Sequence, residues 1–197
     1  MISQISEQQE LANRDRGLVL SGINWEQFKE LEASFDSIPG VRLIYLGGVL
    51  EILILGSEHE YYKRTISLLL EAYMRSRSIR FYSRGSATLG DTQKTVQKEP
   101  DESYNIEKQK PLPDLVIEIV VTNRSVGTLE IYQRIGIPEV WFWEDGSLQV
   151  YSLQETYQLS DRSRLLPNLD LELFNKYVRY HDQYDAVSEF LNELSHQ

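Results

Sequence analysis

Apolar positions along this chain switch between a helical and a strand period, and the switches mark out its elements. Trp25, Phe28, Leu31 and Phe35 recur at helical spacing behind an Asn24/Gln27 capping-box pair, which predicts a helix over 25–35. From 42 to 55 two β-runs flank Gly47-Gly48, a hairpin signal, with Glu51 on the face of Val49, Leu53 and Leu55. A second helix is expected over 58–76, capped by Ser57, with Ile66, Leu69, Leu70 and Tyr73 as its buried stripe. His59, Tyr62 and Lys63 lie one to two turns earlier on roughly the same side. Short strands are expected on either side of Gly85, then a polar loop over 90–99 and a short strand over 100–106. A third helix over 125–135 stops at Gly136, with Pro138 just beyond. A strand at 139–144, a turn at Asp145-Gly146, strands at 148–153 and 156–160 and a helical tail over 171–196 complete the chain. Residues 1–17 read as a flexible arm and 18–197 as a single domain. The order is mixed rather than a regular βαβ alternation, which implies an α+β fold with a mixed central sheet flanked by helices.

The strand over 113–121 carries the most chemistry. Alternation puts Leu115, Ile117, Ile119 and Val121 on one uniformly apolar face, and Asp114, Val116, Glu118 and Val120 on the other. Glu118 is thus a carboxylate in the middle of a hydrophobic strand, where it must be paired, hydrogen-bonded, bound to a cation or facing a cleft. The plain alternative to a functional role is an ion pair with a neighbouring Lys or Arg. The connection between the strands over 100–106 and 113–121 is short enough for antiparallel pairing, which lets Asp101 and Glu118 converge across the sheet. Asp114 cannot share an ion with Glu118 directly, since four residues of strand span about 13 Å.

Composition narrows the classes. With 41% hydrophobic and 25% charged residues the chain is an ordinary globular one, and no apolar run reaches a membrane span. The N-terminus is polar and cysteine is absent, which fits a reducing cytoplasm and excludes disulfides and thiol nucleophiles. A formal charge of −10 disfavours non-specific nucleic-acid binding without excluding a local basic groove or a metal-holding acidic cluster. The basic groups Lys63-Arg64, Arg75-Ser76-Arg77 and Arg80 to Arg84 read equally well as solvated faces. There is no phosphate-binding glycine loop, no HExxH and no GxSxG, and His59, His181 and His196 show no ligand spacing.

One succession of motifs is distinctive: Gly48-Val-Leu-Glu51-Ile, Ser57-Glu-His59-Glu, Tyr82-Ser-Arg-Gly85-Ser-Ala-Thr, Glu99-Pro100-Asp101-Glu102, Pro113-Asp114-Leu-Val-Ile-Glu118-Ile, and Tyr132-Gln-Arg-Ile-Gly136-Ile-Pro138-Glu-Val-Trp141. Over about 20 to 155 it resembles the Uma-two family of restriction-endonuclease-like proteins in the PD-(D/E)XK superfamily. The resemblance implies a restriction-endonuclease-like core and a Mg²⁺- or Mn²⁺-dependent endonuclease acting on DNA, often as a homodimer. It also implies Asp101, Glu118 and Asp114 as catalytic residues, the first two holding the metal and Asp114, in the same signature, better placed as an outer or capping residue. Glu51 and His59 match positions near the site.

The chain departs from the pattern at the lysine. The superfamily expects one two residues after the second acid, where Val120 stands. The family moves it to the following helix, where Thr128 stands before Leu129-Glu130-Ile131-Tyr132. Arg124, Lys63 and Lys110 are candidate substitutes, and no spacing argument selects one. Loss of such a charge costs orders of magnitude in rate, so the alternative function is a catalytically degenerate module that binds nucleic acid or protein. A third reading makes the chain a structural domain with Trp141-Phe142-Trp143 as a dimer surface, against core packing as the ordinary use of such a strand.

Overall fold

The computed structural model describes residues 15–122, 125 and 127–196. Two sheets organise it. The first runs β1 (Arg16–Ser21), β3 (Val49–Ile54), β2 (Val41–Leu46), β6 (Val96–Lys98), β5 (Leu89–Gly90), all antiparallel. The second runs β11 (Tyr157–Ser160), β10 (Ser147–Leu153), β9 (Glu139–Glu144), β8 (Leu115–Val120), β7 (Glu102–Ile106), β4 (Phe81–Ser83). In it β8 and β9 are parallel and the other neighbours antiparallel. A parallel pair needs a crossover, and the one here carries helix α3 (Thr128–Ile135).

Local chemistry explains most boundaries. Helix α1 (Trp25–Phe35) opens on the reciprocal Asn24/Gln27 capping box, both bonds at 2.9 Å. Helix α3 ends at Gly136, whose φ of 87° suits a residue without Cβ and whose N–H bonds back to Tyr132 and Gln133 carbonyls. Gly47 and Gly48, like Asp145 and Gly146, take positive φ on both residues, as two-residue hairpin turns require.

Helix α2 (Ser57–Ser76), α4 (Leu171–Val178) and α5 (Gln183–Ser195) cover one face of the second sheet, where Leu115, Ile117 and Ile119 meet Leu69, Leu70, Tyr177 and Phe190. This is the uniformly apolar face of the β8 strand anticipated from alternation. On the opposite face Val116, Val140 and Phe142 pack with Ile131, Tyr132 and Ile135 of α3 and with Ile44, Leu89 and Val96 of the first sheet. Glu118 projects into this seam between the sheets. Helix α1 closes the outer face of the first sheet through Phe28, Tyr45 and Leu50.

Several expectations are corrected. The loop over 90–99 contains strand β6, whose three residues are all buried although two are polar; pairing with β2 and β5 outweighs composition. The tail over 171–196 is two helices, because Asp182 caps a new N-terminus through the amides of Tyr184 and Asp185. Residues 15–17 of the expected arm belong to the fold, while 1–14 lie outside the described residues. Gly56 rather than Ser57 is the N-cap of α2. Trp141, Phe142 and Trp143 are buried, so this strand is core and not a dimer surface.

Gly127 leads into α3 at φ 63°, and a Cβ there would run into Leu46 Cδ2 of the first sheet. Gly127→Ala should therefore destabilise the protein by about 2 kcal/mol or more, from the left-handed backbone and the clash together, measured by urea unfolding.

Candidate active site

The β7–β8 register pairs Glu102 with Ile117 and Ser103 with Val116, so Asp101, one step earlier, stands opposite Glu118. Both side chains are buried. They line a cleft of about 30 Å³ at the seam, together with Asp15, Arg42, His59, Lys98 and Thr128. That space is enough for one or two water-sized molecules.

Each carboxylate is held at a defined angle. The Ile119 N–H donates to Asp101 Oδ2 at 2.7 Å, and Asp101 Oδ1 lies 2.9 Å from His59 Nε2. The Tyr132 hydroxyl donates to Glu118 Oε1, and Lys98 Nζ stands 3.1 Å from Glu118 Oε2. On its far side His59 Nδ1 is 2.9 Å from Asp15 Oδ2, and Asp15 Oδ1 accepts the Gly56 N–H at the start of α2. The His59 Nε2 contact is close but poorly directed: the atom is buried and has no aligned hydrogen-bond partner among the described residues.

The electrostatics follow from burial set against these partners. Burial opposes charge on His59, but the carboxylates of Asp101 and Asp15 outweigh it and push the imidazole up to about 10. Burial likewise opposes charge on Asp101, yet His59, Lys98 and the Ile119 amide hold it below the ordinary carboxylate range. For Glu118 burial wins. Despite Lys98 and Tyr132, its carboxyl is pushed up to about 7, with the Asp101 charge adding to the rise. Tyr132, buried against Glu118, is pushed well above the usual phenol range and remains a neutral donor.

The other expected residues lie elsewhere or play lesser parts. Thr128 lines the cleft, but its hydroxyl donates to the Ser125 carbonyl at 3.0 Å and brings no charge. Asp114 is outside the cleft: Oδ2 accepts the Ile106 N–H at 2.9 Å and Oδ1 pairs with Lys110 at 2.6 Å, closing the β7–β8 connection. Asp114 is not among the cleft-lining residues, so the cleft itself gives no support to the catalytic role expected for it. Lys63 pairs with Glu60 on α2, and Lys110 is taken by Asp114. Glu51 is buried on β3 but is not among the cleft-lining residues, and Gly17 of β1 approaches its carboxylate. Arg124 lies outside the described residues.

Lys98 was missed, because 90–99 reads as a polar loop. The available signal was Val96-Gln97-Lys98 directly before Glu99-Pro100-Asp101, which sets a lysine three residues ahead of the first acid. Tyr132 was read only as part of a motif.

The profile of the Uma2 family, described as "Putative restriction endonuclease", matches residues 25–178, most of the chain. The chain belongs to the Uma2 family. Its α+β architecture is accordingly a restriction-endonuclease-like core. Among solved structures it is similar to the crystal structure of a "putative nuclease belonging to DUF820" from Anabaena variabilis ATCC 29413. The identity is 16%, over 76% of this chain and 90% of that one, with a TM-score of 0.44. The assignment rests on the sequence match and not on this likeness. No curated protein matches the chain. Among the described residues no helix is long and apolar enough to cross a membrane.

Restriction-endonuclease-like families generally use divalent metals, and the donors here suit one kind of ion. Among the described residues no three His, Asp or Glu side chains converge as a cage. Two buried carboxylates on adjacent strands, each oxygen against a single partner and with a lone pair left, suit Mg²⁺ or Mn²⁺, which keep several waters.

The titration of His59 has a defined sign. Its pKa is higher folded than unfolded, so its stabilisation is complete below about pH 6.5 and is lost as pH rises toward about 10. In chelator-treated protein the stability gap between wild type and His59→Gln should narrow steadily across that window, followed by urea unfolding at a series of pH values. A constant gap would contradict the buried, charged imidazole.

Proposed function

We propose that this Uma2 protein is a divalent-metal-dependent nuclease that hydrolyses DNA phosphodiester bonds at the seam cleft. The observation that carries the reading is the side-by-side pair of buried carboxylates, Asp101 and Glu118, with a buried lysine against them. Asp101 and Glu118 would hold a Mg²⁺ or Mn²⁺ ion, which would supply an activated water and offset charge on the leaving oxygen. The chain's own groups do the rest. Ile119 N–H and Tyr132 hydroxyl fix the acids, and His59 stands against Asp101. Lys98 brings to the cleft the positive charge missing at Val120 and Thr128. Arg42, half-buried and paired with Glu99 at 3.2 Å, lines both the cleft and the adjoining groove. From there it meets a backbone phosphate by exchanging Glu99 for it.

A second reading, a degenerate binding module, is favoured by one observation. Both acids already have cations from the chain itself, His59 on Asp101 and Lys98 on Glu118.

Cleavage of supercoiled and single-stranded DNA with Mg²⁺ or Mn²⁺, beside a chelator control, separates the two. Nicking should require metal, vanish in Glu118→Ala, and fall about a hundred- to a thousandfold in Lys98→Met. DNA retention without cleavage above the Glu118→Ala background would sink the nuclease reading in favour of the binding module. Arg42→Ala should weaken binding of uncleaved DNA by Glu118→Ala protein and flatten its salt dependence, as expected for a lost phosphate contact.

A further inference from the structure

Asp15 stands immediately before β1, whose pairing of Arg16 with Ile54 brings the residue alongside the start of α2. A helix cap needs one acceptor oxygen, and Asp15 Oδ1 supplies it to the Gly56 N–H at 2.8 Å. The second oxygen does something else. Asp15 Oδ2 lies 2.9 Å from His59 Nδ1, and His59 Nε2 lies 2.9 Å from Asp101 Oδ1. Asp101 in turn is anchored by the Ile119 amide of β8. All three side chains are nearly or fully buried. Asp15, itself at the edge of the cleft, thus holds the imidazole at Nδ1, and Nε2 faces the Asp101 carboxylate in close contact without an aligned hydrogen bond.

We infer that Asp15 is a positioning residue of the same site: acting through His59 it sets the orientation of the Asp101 carboxylate, so the residue immediately before β1 belongs to the active centre. A carboxylate behind an imidazole is a common way to fix ring orientation, and loss of such an outer partner costs about ten- to a hundredfold in metal affinity or activity. The bearing on catalysis rests on the nuclease reading above; the effect on Asp101 does not.

Asp15→Asn separates the two roles, because the amide keeps an acceptor for Gly56 but loses the charge that grips His59. Its melting temperature should fall by what the buried His59 charge loses, and by less than in Asp15→Ala. Its Mn²⁺ dissociation constant, read by calorimetry, should rise about tenfold, and kcat should fall by about ten- to a hundredfold with KM for DNA unchanged. In metal-free protein labelled at the aspartate carboxyl carbons, the Asp101 signal, assigned with Asp101→Asn, should shift. Asp15→Ala should add a drop in melting temperature from the lost cap. An unmoved Asp101 signal with Mn²⁺ affinity within twofold of wild type would make Asp15 a helix cap only and overturn the inference. If wild type neither binds Mn²⁺ nor cuts DNA, the nuclease reading falls and the Asp101 carboxyl signal alone decides the positioning role.

Discussion

Two carboxylates buried side by side cannot stand alone, and the arrangement of the two sheets answers that constraint. Asp101 and Glu118 face one another across the β7–β8 register inside an apolar seam. Bare ions there would cost several kcal/mol each. The compensation comes from four different elements: a lysine from β6, a histidine from α2, a phenol from α3 and a main-chain amide from β8 itself. It is incomplete for Glu118, whose carboxyl remains poised near neutrality.

Much of this was legible in the chain. Helical spacing with a capping box placed α1, the αL glycine stopped α3, and period-2 alternation assigned the two faces of β8. Antiparallel pairing across a short connection foresaw the meeting of Asp101 and Glu118. These are local signals, carried by residues within a few positions of one another. Lys98 was harder to read, because its place three residues ahead of Asp101 is the single local mark it carries and its strand is too short to show a period. Its strand is three residues long, Val96-Gln97-Lys98 between Thr95 and Glu99, and is held by β5 on one side and by partners about fifty positions away in β2 on the other. Asp15 was hidden for the same reason: its partners are 41 and 44 residues downstream. Substitutes for the family's lysine were expected among Arg124, Lys63 and Lys110, whereas long-range packing brings Lys98 to Glu118 from the opposite sheet.

Folding and site geometry are therefore hard to separate. Helix α3 both bridges the parallel strands and carries Tyr132 to Glu118, while Ile131 and Ile135 on the same helix weld it to the first sheet. The glycine that admits α3 to this position touches Leu46 of β2.

The lysine's address has one last consequence. Had it stood two residues after Glu118, its distance from the acids would be set by the geometry of a single strand and would be nearly rigid. Standing on β6, it is positioned by how Val96, Ile44 and Leu89 nest against Val116 and Phe142. The charge spacing of the cleft then becomes a function of core volume. A methylene gained or lost in that nest moves an ammonium relative to two carboxylates, so drift in wholly apolar residues retunes the chemistry without touching a polar atom.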